Sequence, residues 1–250
     1  MENLLLVGAT SAIAHECARL WVKNNPDLKK VILIARNEEK LKIVDDDLYT
    51  RSGNKIETLT YTLDFTDPLS INNVMDKVLS KTSIDVALIA QGSLVNNSVS
   101  EDLKVMSYEC NVTALSPCMF LEKILKHMEL KGSGKIGIIG SVAGDRGRLT
   151  NYIYGACKGF IETYVEGLHH HLKNVNSKVT LTLIKPGPTK SPMTQNLENG
   201  KNCADTSLVA SQIVKAVNKG KMVLYTPKIW RIIMMVVRNL PMFIFKHLKI

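Results

Sequence analysis

Short apolar runs and longer helical patterns take turns along this chain, and that alternation restricts the fold more than any other feature. Leu4 to Val7 is an apolar run of strand length with no polar residue to face water on either side. Gly8 follows at once, and a helical pattern then runs through Ile13, Cys17, Leu20 and Trp21. The switch recurs along the sequence. It predicts strands near 3–7, 31–35, 56–61, 84–89, 135–140, 178–184 and 222–225. Helices are predicted near 12–25, 38–51, 69–81, 101–128, 152–174 and 206–218. Strand and helix in strict alternation imply an α/β fold, with a doubly wound parallel sheet of about seven strands and helices on both faces. A chain of 250 residues with 45% apolar content can bury one such core.

The first turn carries chemistry as well as topology. Gly8-Ala-Thr10-Ser11-Ala12-Ile13-Ala14 joins a strand to a helix N-terminus. Such a turn presents backbone N–H groups to a phosphate. Ala12 and Ala14 stand where a dinucleotide fold often has Gly, and each added methyl narrows the approach to a pyrophosphate. The alternative is an ordinary strand-to-helix turn. The second strand ends Ile-Ala35-Arg36, with no carboxylate. A carboxylate there would bind the ribose 2′-hydroxyl of NAD. A guanidinium pairs instead with a 2′-phosphate, which favours NADP(H). An exposed Arg36 that also tolerates NAD is the other reading.

Tyr154 and Lys158 stand one helical turn apart, thirteen residues after Ser141. Side chains at i and i+4 share a helix face. An ammonium beside a phenol favours the phenolate and lowers the tyrosine pKa. The tyrosine can then pass a proton at neutral pH. The Ser141 hydroxyl can bond the same substrate oxygen, so a carbonyl held between the two is polarised for hydride attack. A half-buried Tyr beside a snorkelling Lys is the plainer reading. The predicted helix 101–128 carries Leu103, Met106, Cys110, Ala114, Cys118, Leu121 and Leu125 on one face and sets Asn111 beside the sheet. Cys157 lies on another face of the Tyr154 helix, as a packing residue. No metal site is expected. The five Cys form no metal spacing, and His169, His170 and His171 diverge by about 100° each on a helix.

Taken together, these residues resemble the short-chain dehydrogenase/reductase family, in its order and spacing, from Leu4 to about Tyr225. The resemblance implies a Rossmann-type catalytic domain over residues 1–226. Gly8 to Ala14 is similar to the family's T-G-x-x-x-G-x-G cofactor turn. Asp64, followed by Phe65, matches the acid that contacts the adenine. Ala90-Gln91-Gly92 matches N-A-G, with Gln for Asn. Asn111, Ser141, Tyr154 and Lys158 match the four catalytic positions. Pro186-Gly187-Pro-Thr189-Lys-Ser191 is similar to the P-G-x-V-x-T segment that holds the nicotinamide. The departures at Ala12, Ala14, Gln91 and Ser191 bear on cofactor affinity. The implied roles are Tyr154 as proton donor, Lys158 as its partner and ribose ligand, Ser141 as orienter of the carbonyl, and Asn111 as holder of a relay water.

Substrate signals lie after Ser141 and at the C-terminus. Arg146 and Arg148 fall in the loop before Tyr154 and can clamp a phosphate; alternatively Asp145 neutralises one and water takes the other. Residues 188–204 read as a lid. Residues 206–250 hold eight basic residues and no acid, which leaves 24 basic and 23 acidic residues elsewhere. The segment 227–250 reads as an amphipathic extension. Its apolar run Ile232–Val237 is far short of the roughly 20 residues of a spanning helix. Its apolar faces argue against nucleic acid. Contact with a membrane surface through 228–250 and a subunit interface both remain open, and a homo-oligomer is expected. The first strand begins by residue 4, leaving no room for a signal peptide, so the expected location is cytoplasmic, peripheral at the inner face of the membrane. The Arg-bearing loop and the ending Tyr-Thr-Pro-Lys-Ile-Trp resemble the subgroup with the polyprenyl-phosphoryl 2-ketoribose reductase. That resemblance implies a phosphorylated or lipid-linked keto-sugar of cell-envelope polysaccharide synthesis as substrate. A reductase of acyl or other lipid ketones and a catalytically silent NADP-binding scaffold are the alternatives.

Overall fold

The apolar runs become seven parallel strands of one sheet in a computed structural model that describes residues 1–94, 102–194 and 203–248. They are β1 (Asn3–Val7), β2 (Lys30–Ala35), β3 (Glu57–Thr62), β4 (Val86–Ile89), β5 (Gly134–Ile139), β6 (Val179–Pro186) and β7 (Val223–Thr226). Their order across the sheet is β3-β2-β1-β4-β5-β6-β7, so the chain reverses direction between β1 and β4. Successive residues of a strand point to opposite faces. Leu4 and Leu6 therefore enter one core, with Cys17, Trp21, Leu41 and Ile213. Leu5 and Val7 enter the other, with Ile71, Phe120 and Ile161. Helices α1 (Ala12–Asn24), α2 (Glu38–Arg51) and α7 (Thr206–Asn218) cover the first face. Helices α3 (Pro68–Lys81), α5 (Ser116–Lys131) and α6 (Tyr152–Asn174) cover the second.

The predicted helix 101–128 is not continuous. Helix α4 (Leu103–Cys110) passes into a π-helical turn, Asn111–Leu115, before α5 begins. The Ser116 N–H closes on Asn111 O, five residues back. Pro117 lacks the N–H that would bond residue 113, so the ladder widens there. The predicted apolar stripe is buried only in its second half. Cys118, Leu121 and Leu125 are in the core, whereas Leu103 and Met106 are 76% and 46% exposed. Helix α4 packs on α6, and its outer apolar residues stay exposed.

After β7 the chain forms α8 (Ile229–Asn239), stops at Leu240-Pro241, and makes a last turn, α9 (Met242–Phe245). Met234, Val237 and Phe245 turn inward and pack with Val142, Tyr225 and Trp230. The opposite face leaves Ile229, Ile232, Met235, Val236, Met242 and Phe243 exposed. Among the described residues no helix is long and apolar enough to cross a membrane.

Candidate active site

Strands β1, β4, β5 and β6 end around one cavity of about 400 Å³. It opens at the carboxyl ends of the strands where the sheet order reverses, the place where open α/β sheets take ligands. One wall is the first turn: Gly8, Thr10, Ser11, Ala12 and Ile13 line it. Gly8 has φ +76°, and a Cβ there would lie 2.5 Å from Gln91 N. Both facts demand glycine, which lets the β1 turn press against the β4 loop. Ser11 stands at the N-cap of α1 without a side-chain cap bond, so the first-turn N–H groups lack a partner from that side chain.

Arg36 and Phe65 line the far end. The guanidinium donates to Tyr108 Oη and lies 5.9 Å and 6.0 Å from the Phe65 and Tyr108 ring centroids. It makes no ion pair with a carboxylate among the described residues. Asp64 is not among the residues lining the cavity; its Oδ1 accepts from Thr66 N and Oγ1 at 2.8 and 2.9 Å. Ala90, Gln91 and Gly92 form the middle wall. Gln91 donates through Nε2 to Ser116 Oγ at 3.2 Å, and its buried Oε1 has no partner.

Ser141, Tyr154 and Lys158 meet at the other end. Ser141 caps a 3₁₀ turn, Val142–Asp145, by accepting from Ala143 N at 3.1 Å, and its hydroxyl lies on the cavity wall with the Tyr154 phenol. The Lys158 Nζ donates to Ile139 O at 2.8 Å and lies 5.8 Å from the Tyr154 ring centroid. The expected lowering of the tyrosine pKa is not found. Burial pushes the Tyr154 phenol up to about 12, against a downward contribution from Ser141. Burial also brings Lys158 down to about 8. Asn111 does not line the cavity. Its side-chain amide donates to Ser107 O at 2.9 Å from the first position of the π turn.

Pro186, Gly187, Thr189 and Ser191 line the remaining wall. The segment expected to be a lid starts and ends as a pair: Thr189 bridges Ala204, and Ala204 N donates to Pro188 O at 2.9 Å. Positions 195–202 of that segment lie outside the described residues. A Cβ on Gly187 would lie 1.9 Å from Trp230 Nε1, so the α8 tryptophan seats directly on this wall.

The two loop arginines part company. Arg148 lines the cavity. It donates to Val142 O at 3.3 Å, approaches Met234 Sδ at 3.5 Å, and its buried Nε has no partner. Burial lowers its pKa, and Asp145 contributes in the other direction. Arg146 is not a cavity residue, contrary to the expected clamp of two arginines. Its Nη1 donates to Val237 O at 2.6 Å and Leu240 O at 2.5 Å, and its guanidinium lies 3.9 Å from the Phe245 centroid. It therefore caps the C-terminus of α8, where orphan carbonyls attract a cation. Asp145 pairs with neither arginine of its own loop. It accepts from Lys185 Nζ at 2.6 Å, Tyr225 Oη at 3.1 Å and Arg238 Nη1 at 3.3 Å.

Sequence reasoning missed that buried ion cluster, Glu109 and Tyr108. Glu109 and Tyr108 precede Asn111 by two and three residues on α4; Glu109 is buried, whereas Tyr108 stays 40% exposed and meets Arg36. No spacing announces a π turn. The pairing of Lys185 with Asp145 and Glu162 joins residues far apart in the chain.

Residues 2–202 match the family model described as short chain dehydrogenase. An uncharacterized oxidoreductase of Streptomyces coelicolor is 24% identical over 250 residues, 100% of this chain and 96% of that protein. Dehydrogenase/reductase SDR family member 7B of Danio rerio is 25% identical over 235 residues, 87% of this chain and 74% of the other. Among solved structures, a Sphingobium yanoikuyae short-chain dehydrogenase in complex with NADPH superposes with TM-score 0.80, at 17% identity over 97% of both chains. Actinorhodin polyketide ketoreductase with NADPH gives TM-score 0.78 at 21% identity, over 90% of this chain and 95% of that one. These two structures share the fold of the chain.

Proposed function

Because the chain belongs to the short chain dehydrogenase family, we propose that it is an NADP(H)-dependent reductase of a ketone bearing a phosphate, on a lipid-linked keto-sugar of cell-envelope polysaccharide synthesis. The residues present fit the cofactor. Gly8 leaves the cradle that a Cβ would fill, the α1 N-terminus borders it, and Arg36 carries a charge with no carboxylate partner among the described residues. When bound, NADPH supplies the hydride.

The chain's own groups do the rest. Ser141 and Tyr154 hydroxyls converge on the carbonyl oxygen. Tyr154 gives it a proton, and the burial that raises its pKa keeps that proton in place until charge develops. Lys158 stabilises the phenolate left behind. Asn111, whose side-chain amide is held by Ser107 O, would offer its side-chain oxygen to a relay water.

The observation that carries the substrate reading is Arg148, a partly buried cation on the cavity wall with no ion-pair partner among the described residues. A buried charge is costly unless paired, so an anionic group on the substrate would complete the site. The lipid reading rests on the outer face of α8 and α9, where Lys228, Arg231 and Lys246 accompany exposed apolar residues. Such a face suits an anionic membrane surface. A second copy of the chain is its alternative cover.

A panel of ketones with and without a phosphate, scored by NADPH oxidation in detergent, tests the reading. Phosphorylated ketones should react with the lower KM, and Arg148→Met should raise that KM about tenfold, equal to roughly 1.4 kcal/mol, without affecting the others. Equal KM values across the panel would favour an acyl or other lipid ketone.

A further inference from the structure

Glu109 is a carboxylate with 1% of its surface exposed, on α4, which packs against the α6 helix that carries Lys158, and it is absent from the mechanism above. It packs against the loop that follows β4. Its Oε1 accepts from Thr113 Oγ1 at 3.3 Å, and its Oε2 is buried without a partner. Thr113 ties the same loop, since Ser93 N donates to its Oγ1 at 2.9 Å. The loop is shared with the lysine. A Cβ on Gly92 would lie 3.6 Å from Lys158 Nζ and 3.9 Å from Thr113 Oγ1.

Lys158 is also buried, and among the described residues it has no ion pair. Its hydrogen bond goes to a neutral carbonyl, Ile139 O. An ammonium sealed in this way needs a negative charge near it. The groups that act on it are Cys157 on α6, Glu109 and Cys118 on α5; burial pushes both thiols up to about 12, so they stay neutral, and Glu109 is the carboxylate among the three. The charged groups that act on Glu109 are Lys158 from α6 and Arg36 from the end of β2. Tyr154 and Cys157, both on α6, feel its charge. Arg36 is exposed and already bonded to Tyr108, so water screens its share.

We propose that Glu109 is a positioning residue, the counter-charge that holds Lys158 in its ammonium form behind Tyr154. Two buried groups of opposite sign support each other. Burial alone moves Lys158 toward the neutral amine and Glu109 toward the neutral acid, and each opposes the shift of the other. With Lys158 already near 8, a further fall would leave a large fraction of it uncharged at physiological pH. A neutral amine cannot stabilise the phenolate that Tyr154 becomes when it gives up its proton. The inference rests on Tyr154 and Lys158 being the working pair, and not on the identity of the ketone.

The test is the titration of Lys158 itself, followed by NMR in protein carrying ¹³Cε-lysine, with Lys158→Arg to assign the signal. This readout needs neither substrate nor turnover, so it fails separately from the phosphate reading. Glu109→Gln keeps the acceptor for Thr113 and removes the charge. Its Lys158 midpoint should fall by about half a pH unit or more, while Glu109→Asp stays near the parent. The alkaline limb of kcat/KM for ketone reduction should move down with it. Charge removal leaves a purely packing role unaffected, so an unchanged Glu109→Gln midpoint would overturn the inference. If Glu109→Gln does not fold, Glu109→Asp and Glu109→Asn make a second pair of equal length. The carboxylate must then give the higher midpoint, and equal midpoints would overturn it.

Discussion

The two ends of the cavity are built by different means. The proposed cofactor end is mostly backbone, β1, the Gly8 turn and the first turn of α1, residues adjacent in the chain, with Arg36 and Phe65 added at its far side. The substrate end is side chains meeting over long distances. Arg146 reaches carbonyls 91 and 94 residues away, and Lys185, 1% exposed, joins Asp145 on the Ser141 turn to Glu162 on α6. An end made of adjacent backbone keeps its shape as long as the core folds. An end made of remote contacts depends on each segment that supplies them, here the C-terminal helix above all.

Tyr154 sits where the two ends meet, and its removal should give the largest effect. Tyr154→Phe keeps the ring and its packing but deletes the hydroxyl that shares the cavity wall with Ser141. Loss of a general acid costs about 10²–10⁴-fold in rate. NADPH binding, followed by fluorescence, should stay close to that of the parent, because the Gly8 turn and Arg36 are untouched. Near-normal turnover would remove Tyr154 from the chemistry.

Cutting the chain after Thr226 separates the two ends more directly. It strips Met234, Val237 and Phe245 from Val142, the residue next to Ser141, and Trp230 from Gly187. Buried side chains of this size contribute roughly 1.5–3 kcal/mol each. The 3₁₀ turn that carries Ser141 would lose its cover, and Asp145 would lose Arg238. Turnover should drop about tenfold or more, since a small displacement of a catalytic group is expensive, while NADPH affinity changes less. Co-sedimentation with anionic liposomes at low salt should also be lost. If the truncated chain turns over as well as the parent, the tail does not support the substrate end. If the full-length chain stays in the supernatant, a subunit interface becomes the better reading of its outer face.

The same division explains what could be read from the sequence. The sheet, its helices and the Gly8 turn follow from local patterns, so their boundaries come out within a few residues. Ser141, Tyr154 and Lys158 are legible because one helical turn and one loop connect them. The break at Asn111 was not legible from the helical period, which runs straight through it; Pro117 is its one visible trace. Tyr154's pKa was misjudged for a related reason. Spacing puts an ammonium near the phenol, but says nothing of how deeply both are buried, and burial decides the shift. Arg146 and Arg148 look equivalent two residues apart. Only the docked tail tells the helix cap from the cavity cation.

Arg36 offers the gentlest way to sharpen the comparison, at the end built of backbone. Its guanidinium is exposed and held by the Tyr108 hydroxyl and two aromatic rings, so it is oriented without being neutralised. A 2′-phosphate there would gain a charge-assisted bond, weakened by solvent screening. Arg36→Asp should reverse the preference by repelling that phosphate and accepting from a ribose hydroxyl. The ratio of kcat/KM for NADPH to that for NADH should fall about tenfold, which is 1.4 kcal/mol. The fold should be unaffected, because Arg36 buries little and makes no ion pair among the described residues. A constant ratio would mean that selection between the two cofactors lies in the backbone of the first turn, where Ala12 already differs from the family's glycine, and that side-chain recognition is confined to the substrate end.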